Sequence, residues 1–175
     1  MPVIKDGQLV ENDWTFIPDS VPLDGVSRPV VSLARWQGES RALLGRNRWL
    51  GLRLPNIADP AVIGAELHCF ALIELEFPTF RDGRAYSQAR LLRERHGYLG
   101  ELRAVGGIGR DQYFFLDRCG FDSVRVAGDE AELACALEGW YEAMAEISVP
   151  MQPASDRRPP ASSLRERRRA AAGAS

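Results

Sequence analysis

Only one lysine, Lys5, two histidines, His68 and His96, and three cysteines, Cys69, Cys119 and Cys135, occur in this chain of 175 residues. Each scarcity excludes something. Three scattered thiols, odd in number and without a CxxC pair, predict neither a disulfide framework nor a zinc site. Two histidines are too few for a histidine-rich metal centre, so no metal is expected. No apolar run approaches the ~20 residues that a membrane helix needs. The opening stretch MPVIKDGQLVENDW has no basic region followed by an apolar one, so no signal peptide is read and the cytoplasm is the expected compartment. GxGxxG, GKS and GKT are all missing. The loop Gly106-Gly107-Ile108-Gly109 has the wrong spacing for a dinucleotide, and no flavin, haem or iron–sulfur pattern is visible; no cofactor is expected.

What is present is enough apolar residue, 45%, for one real core, and an uneven distribution of charge. Residues 151–175 carry six arginines against Asp156 and Glu166, a net +4, which leaves residues 1–150 at −6. This tail is rich in Arg, Ala, Pro and Ser and cannot bury a core, so it is read as a disordered terminus following a single domain over residues 1–150. A basic arm can touch nucleic acid, but an acidic body argues against nucleic-acid binding as the main role.

Along the chain, VIKDGQLVENDWTFI predicts a β-hairpin over residues 3–17, turning at Asp6-Gly7. Val30–Leu33 is a short strand candidate. Strands are then expected at Trp49–Leu54, Phe70–Glu76, Glu101–Val105 and Asp122–Val126. Helices are expected at Pro60–Leu67 behind the cap Asp59, at Arg84–His96 closed by Gly97, at 109–119 stopped by Gly120, and from Asp129 to about Ile147. This alternation predicts βαβ units and a parallel sheet.

Side chains alternate faces along a strand. One face reads Leu50, Leu52, Leu54; Ala71, Ile73, Leu75; Leu102, Ala104; Val124, Val126, and should lie under the helices. The other reads Trp49, Gly51, Arg53; Phe70, Leu72, Glu74, Glu76; Glu101, Arg103, Val105; Ser123, Arg125. A doubly wound sheet has helices on both faces, and its strands read as continuous apolar runs. These strands carry charge on their second face, so the pattern favours parallel βα units with helices mainly on one face, a partial TIM-like barrel, over a flavodoxin-like open sheet. Glu74 and Glu76 then point away from the helices near the end of a central strand, where α/β proteins hold ligands, and are the candidate catalytic carboxylates. Arg53 and Arg103 share their face. Two readings stand side by side: a buried ion-pair network, and a prearranged pocket in which arginines hold an oxyanion while a carboxylate moves protons. Arg84, Tyr86, Ser87 and Arg90 sit at the start of the next helix, where free N–H groups suit an anion. In the helix 109–119 the run Tyr113-Phe114-Phe115-Leu116 covers more than one face. Either the N-terminal hairpin or a second copy of the chain is expected to cover the surplus.

The stretch FPTFRDGRAYSQARLLRERHGYLGELRAVG, followed by RDQYFFLDRCGFDSV, resembles the bacterial "domain of unknown function 934" family, as does the opening IKDGQLVENDW. The resemblance spans residues 3–147. Its matching motif positions include Arg53, Asn56, Glu76, Asp82, Gly83, Arg84, Tyr86, Ser87, Arg90, Arg103, Asp111 and Gln112, which extends the ligand-binding candidates to Asn56, Asp111 and Gln112. Gly107-Ile108 departs from the acidic or amide residue and valine that the family carries there. The resemblance implies an association with sulfite reductase and sulfate assimilation, without an established reaction. Two functions follow as expectations: an accessory or anion-binding protein supporting sulfite reductase, or a TIM-like enzyme doing acid–base chemistry on a small anionic metabolite.

Overall fold

In the computed structural model, residues 2–46 and 49–146 are described. The hairpin forms from β1 (Val3–Lys5) and β2 (Gln8–Val10), turning on Asp6 and Gly7, both with positive φ (55° and 74°) as a type I′ turn requires. It ends at Val10 and not at residue 17. After four more residues the chain forms β3 (Thr15–Phe16), followed by β4 (Pro29–Ser32), β5 (Leu50–Leu54), β6 (Phe70–Phe77), β7 (Glu101–Gly106) and β8 (Ser123–Arg125). These make one eight-stranded sheet in the order β2-β1-β8-β7-β6-β5-β4-β3. β3 to β8 are parallel to their neighbours, and β1 joins β8 antiparallel.

That order settles the architecture. From β3 to β8 each strand is added beside the last in the same direction, and the order never reverses as it does in a flavodoxin-like sheet. Crossovers of one hand stepping one way leave the helices on one face. The sheet is a curled half-barrel. The chain length demands the curl. β2 and β3 are the opposite edges of the sheet, seven strand spacings apart, or about 34 Å if the sheet were flat. Only residues 11–14 connect them, and Val10 to Thr15 can reach about 17 Å at most. The edges must therefore approach each other, and the strap 11–14 crosses the inner side. Trp14 of this strap packs on Val30 and Leu72. Gly51 makes room for it, since a Cβ there would lie 2.8 Å from Val30 Cγ2 and 3.2 Å from the Trp14 ring.

The helix face is the core. Leu52, Leu54, Ile73, Leu75, Leu102, Ala104 and Val124 are buried in one cluster with residues of all four helices, α1 (Leu33–Arg46), α2 (Arg84–Arg90), α3 (Tyr113–Cys119) and α4 (Glu130–Glu146). α4 carries one apolar stripe: Trp140 is buried, and Leu133, Leu137 and Met144 pack against the core. Ile147 and the tail 151–175 lie outside the described residues.

Several local expectations are corrected. A bulge between β5 and β6 shifts the register, pairing Leu50 with Phe70 but Gly51 with Leu72. Phe70 therefore belongs to the helix face, against Trp36 (ring centroids 4.6 Å apart), and Ala71 packs beside Trp14. α1 was not anticipated. Gly38 and Gly45 interrupt its pattern, and its start is marked only by Ser32, whose Oγ accepts the Arg35 N–H at 3.0 Å. Residues Pro60–Cys69 form 3-10 turns broken at Gly64 (φ 61°) behind the expected cap Asp59. α2 continues as a π-helical segment, Leu91–Arg95, and a 3-10 turn, Arg110–Gln112, precedes α3. Of the aromatic run, Tyr113 and Leu116 are buried and Phe114 packs on the core, while Phe115 is 56% exposed. The hairpin does not cover α3. It meets α4, where Tyr141 donates to the Gly7 carbonyl at 2.7 Å.

Candidate functional site

The inner face is built in layers by strand register. Arg53, Glu74, Arg103 and Ser123 are neighbours across β5, β6, β7 and β8. Glu76 and Val105 lie one layer towards the strand ends, and Leu72 and Glu101 one layer towards their starts. Register alone places Arg103 beside Glu74, but the side chains sort into two separate clusters.

In the first, Glu74 is 1% exposed and both its oxygens are engaged. Arg53 donates twice to Oε2, from Nε at 2.9 Å and Nη2 at 2.7 Å, and Arg125 Nη1 reaches Oε1 at 3.4 Å. The Arg53 guanidinium lies 3.6 Å from the centre of the Phe16 ring. Glu76, with its side chain 37% exposed, has one oxygen 4.0 Å from Arg53 Nε. Burial pushes the Arg125 guanidinium below its usual range; Glu74 pulls it back up, while Arg53 and Arg103 push it further down.

In the second, Arg103, 2% exposed, turns away from Glu74 towards Glu101 on its own strand. It donates to Glu101 Oε1 at 2.7 Å, to Ser123 Oγ at 3.1 Å and to Asn12 Oδ1 of the strap at 2.6 Å. Ser123 Oγ and Lys5 Nζ also donate to Glu101, each at 2.6 Å. Burial alone would raise the Glu101 carboxyl, but Arg103, Lys5 and Ser123 together outweigh it and hold it at about 2.

The remaining candidates fall at the rim formed by the loops after β5, β6 and β7. Asn56 donates to Asp82 at 2.6 Å, and Arg84 donates to the same carboxylate at 2.9 and 2.6 Å. Arg84, assisted by Asn56, holds Asp82 well below the usual carboxylate range against a smaller opposing effect of desolvation. Gln112 joins two loops, donating to the Phe80 carbonyl at 2.7 Å and accepting from Gly109 N–H at 2.9 Å. Gly106 has φ 111°, and a Cβ there would stand 2.3 Å from the Phe77 carbonyl oxygen, so glycine is required where these loops meet. Asn56 and Gln112 thus brace loops. Tyr86 points into the core, its ring against Phe77, Phe115 and Phe121. Burial, aided by Cys119 and Asp111, pushes its hydroxyl up to about 12. Ser87 and Asp111 are exposed, and Arg90 is exposed 3.6 Å from Glu94. The structure therefore brings Arg53, Glu74 and Glu76 together, and leaves Arg103 and the rim residues apart from them.

Sequence reasoning missed a buried ion pair outside this face. Arg93 donates to Asp122 at 2.7 Å and to the carbonyls of Gly120, Tyr98 and Gly100, while Asp122 also accepts the Leu102 N–H. No local signal marks Arg93, which sits in a run of charged residues with Glu94 and Arg95. Asn12 and Phe16 were missed because the strap's path across the sheet is not a local property.

The model of a family described as bacterial protein of unknown function (DUF934) matches residues 51–162, well over half of the chain. The chain belongs to this family. The match runs from β5 onward and so includes Arg53, Glu74, Arg103 and Arg125, while the strap and Phe16 precede it. No curated protein and no solved structure matches the chain. Among the described residues, no helix is long and apolar enough to cross a membrane, and no cluster of three or more His, Cys, Asp or Glu side chains could hold a metal.

Proposed function

We propose that this DUF934 protein is a cytoplasmic accessory factor of assimilatory sulfate or sulfite reduction that binds a small oxyanion and supports sulfite reductase. The observation that carries the anion-binding part is the charge balance around Glu74. Two arginines, Arg53 and Arg125, share one fully buried carboxylate. Arg53 is held by two short bonds, whereas Arg125 has a single 3.4 Å contact and a guanidinium pushed downward by burial. Arg53 has Glu76 as a second carboxylate at 4.0 Å, whereas an oxyanion placed against Arg125 would give it the close charge-assisted hydrogen bonds that its 3.4 Å contact lacks. The engagement of both Glu74 oxygens speaks against that residue as a general base. The link to sulfite reductase rests on the family resemblance alone.

Calorimetric titration of sulfite, sulfate and phosphate against the wild type and Arg125→Gln tests the binding. Saturable binding lost in the variant is expected, and equal binding by both would refute the site. A pull-down with purified sulfite reductase tests the partner. A second reading, acid–base catalysis, is favoured by Glu76, whose solvent access at the end of β6 suits proton transfer. Turnover of a small anion by the isolated protein, abolished by Glu76→Gln, would establish it. Self-association through the helix 109–119 would run through exposed Phe115, and sedimentation at micromolar concentration checks it.

A further inference from the structure

An oxyanion beside Arg125 would enter a face whose charges are already balanced. Lys5 and Arg103 share Glu101, and Arg53 and Arg125 share Glu74. The cations in excess are offset by Glu76, 4.0 Å from Arg53 Nε, and by Asp19, which accepts from Ser32 Oγ at 2.7 Å. Ser32 is in register with Arg53, so Asp19 stands at the β4 side of the same layer. At the margins the charges cancel in pairs: Asp13 with Arg28, Glu39 with Arg35, and Asp82 with Arg84. Glu11 on the strap is exposed and adds a further negative charge. The face therefore has no surplus of positive charge to meet an anion. An anion entering alone would place like charge beside Glu74 and Glu76.

A proton arriving with the anion removes this conflict, and one carboxylate is placed to take it. Both oxygens of Glu74 accept from arginines. Glu101 accepts from Lys5, Arg103 and Ser123, and Asp82 accepts from Arg84 and Asn56. Protonating either of these, or Glu74, would break charge-assisted bonds. Glu76 approaches Arg53 no closer than 4.0 Å, beyond hydrogen-bond reach, and its side chain is 37% exposed. A proton from solvent can reach it, and it has little pairing to lose. Around it stand Arg53 on β5, Val105 beside it on β7, Arg103 and Glu74 one layer towards the strand starts, and Arg125 on β8. Its field extends to Arg125. Burial pushes that guanidinium down, Glu74 raises it, Arg53 and Arg103 lower it, and Glu76 raises it again. Once protonated, the Glu76 carboxyl gains an O–H donor.

We propose, building on the oxyanion reading above, that a singly charged oxyanion binds here together with one proton, which Glu76 takes up. A doubly charged oxyanion would leave one negative charge unmatched even with Glu76 neutral, so the site selects against it.

Methanesulfonate and sulfate are the probes, because neither titrates near neutral pH. Calorimetric titration of methanesulfonate against the full chain in bis-Tris chloride and in Tris chloride, buffers of different ionisation enthalpy, counts the protons. The wild type should take up about one proton per methanesulfonate, with affinity falling by up to about tenfold per pH unit around neutrality. Glu76→Gln should take up none, bind independently of pH and, at neutral pH, bind at least about tenfold more tightly. Sulfate should bind the wild type more weakly than methanesulfonate. Glu76 is partly exposed, so the amide variant should fold, and an unperturbed amide spectrum verifies it. Methanesulfonate binding that is lost in Arg125→Gln, yet takes up no proton in the wild type, would overturn the proposal and leave the oxyanion site standing. Proton uptake persisting in Glu76→Gln, weaker binding by that variant, or a preference for sulfate would also overturn it. Absence of any oxyanion binding would overturn both.

Discussion

At the centre of this sheet the two faces are buried equally deeply by opposite chemistry. Ile73 and Leu75 on β6 point into the helix layer with no exposure, and Glu74 between them is buried just as deeply against Arg53 and Arg125. The helix face is held by packing, which is non-directional and tolerates exchange of one apolar side chain for another. The inner face is held by pairing, in which each charge is tolerable only while its partners remain. Burial by itself therefore says little about how a position on this sheet responds to change.

The largest effect should come from unbalancing the inner face. Glu74→Gln leaves two largely buried guanidiniums with only the more exposed Glu76 beside them and should cost about 3–5 kcal/mol in denaturant unfolding. Replacing Arg53, Glu74 and Arg125 together by Met, Leu and Met should return stability to within about 1 kcal/mol of the wild type, or above it. A triple variant as unstable as Glu74→Gln would mean that these charges do more than balance one another. On the helix face, Leu102→Ala should cost about 3 kcal/mol through the cavity that it leaves. That loss should be the same at low and high salt, unlike the loss at Glu74.

Acid should separate the faces next. The folded-state value of Glu101, about 2, lies below the ordinary 4.5, so its pairing stabilises the protein above pH 4.5. That stability disappears as the pH falls from about 4.5 towards 2. Lys5, one of its partners, is 41% exposed, which reduces the expected contribution to roughly 2 kcal/mol. Thermal unfolding of the wild type and Glu101→Gln across this range measures it: the two curves should converge at the acid end. The smallest effect is steric. Gly51→Ala should cost about 1–2 kcal/mol by pressing a methyl group against Val30 and Trp14, and Trp14→Leu in the same chain should recover part of it.

The repeating elements were legible in the sequence because their signals are local. Alternation along Leu50–Leu54 and Glu101–Val105, the Asp59 cap, the Asp6-Gly7 turn and the stops at Gly97 and Gly120 each depend on a few adjacent residues. From the alternation alone the one-sided sheet could be argued, and with it the position of Glu74 and Glu76 on its inner face. Tertiary structure alone decided which charges meet. Arg103 is in register with Glu74, yet it binds Glu101 because Ser123, Lys5 and Asn12 converge there from three other segments. Phe70 and Ala71 exchange faces because of a bulge set by the pairing with β5, which no period-two count contains. Trp14 fills the inner face because the strap is too short for a flat sheet, a constraint that exists only once β2 and β3 have become opposite edges of the same sheet. Periodicity reports the face on which a side chain lies, whereas its partner is fixed by the closure of the whole sheet.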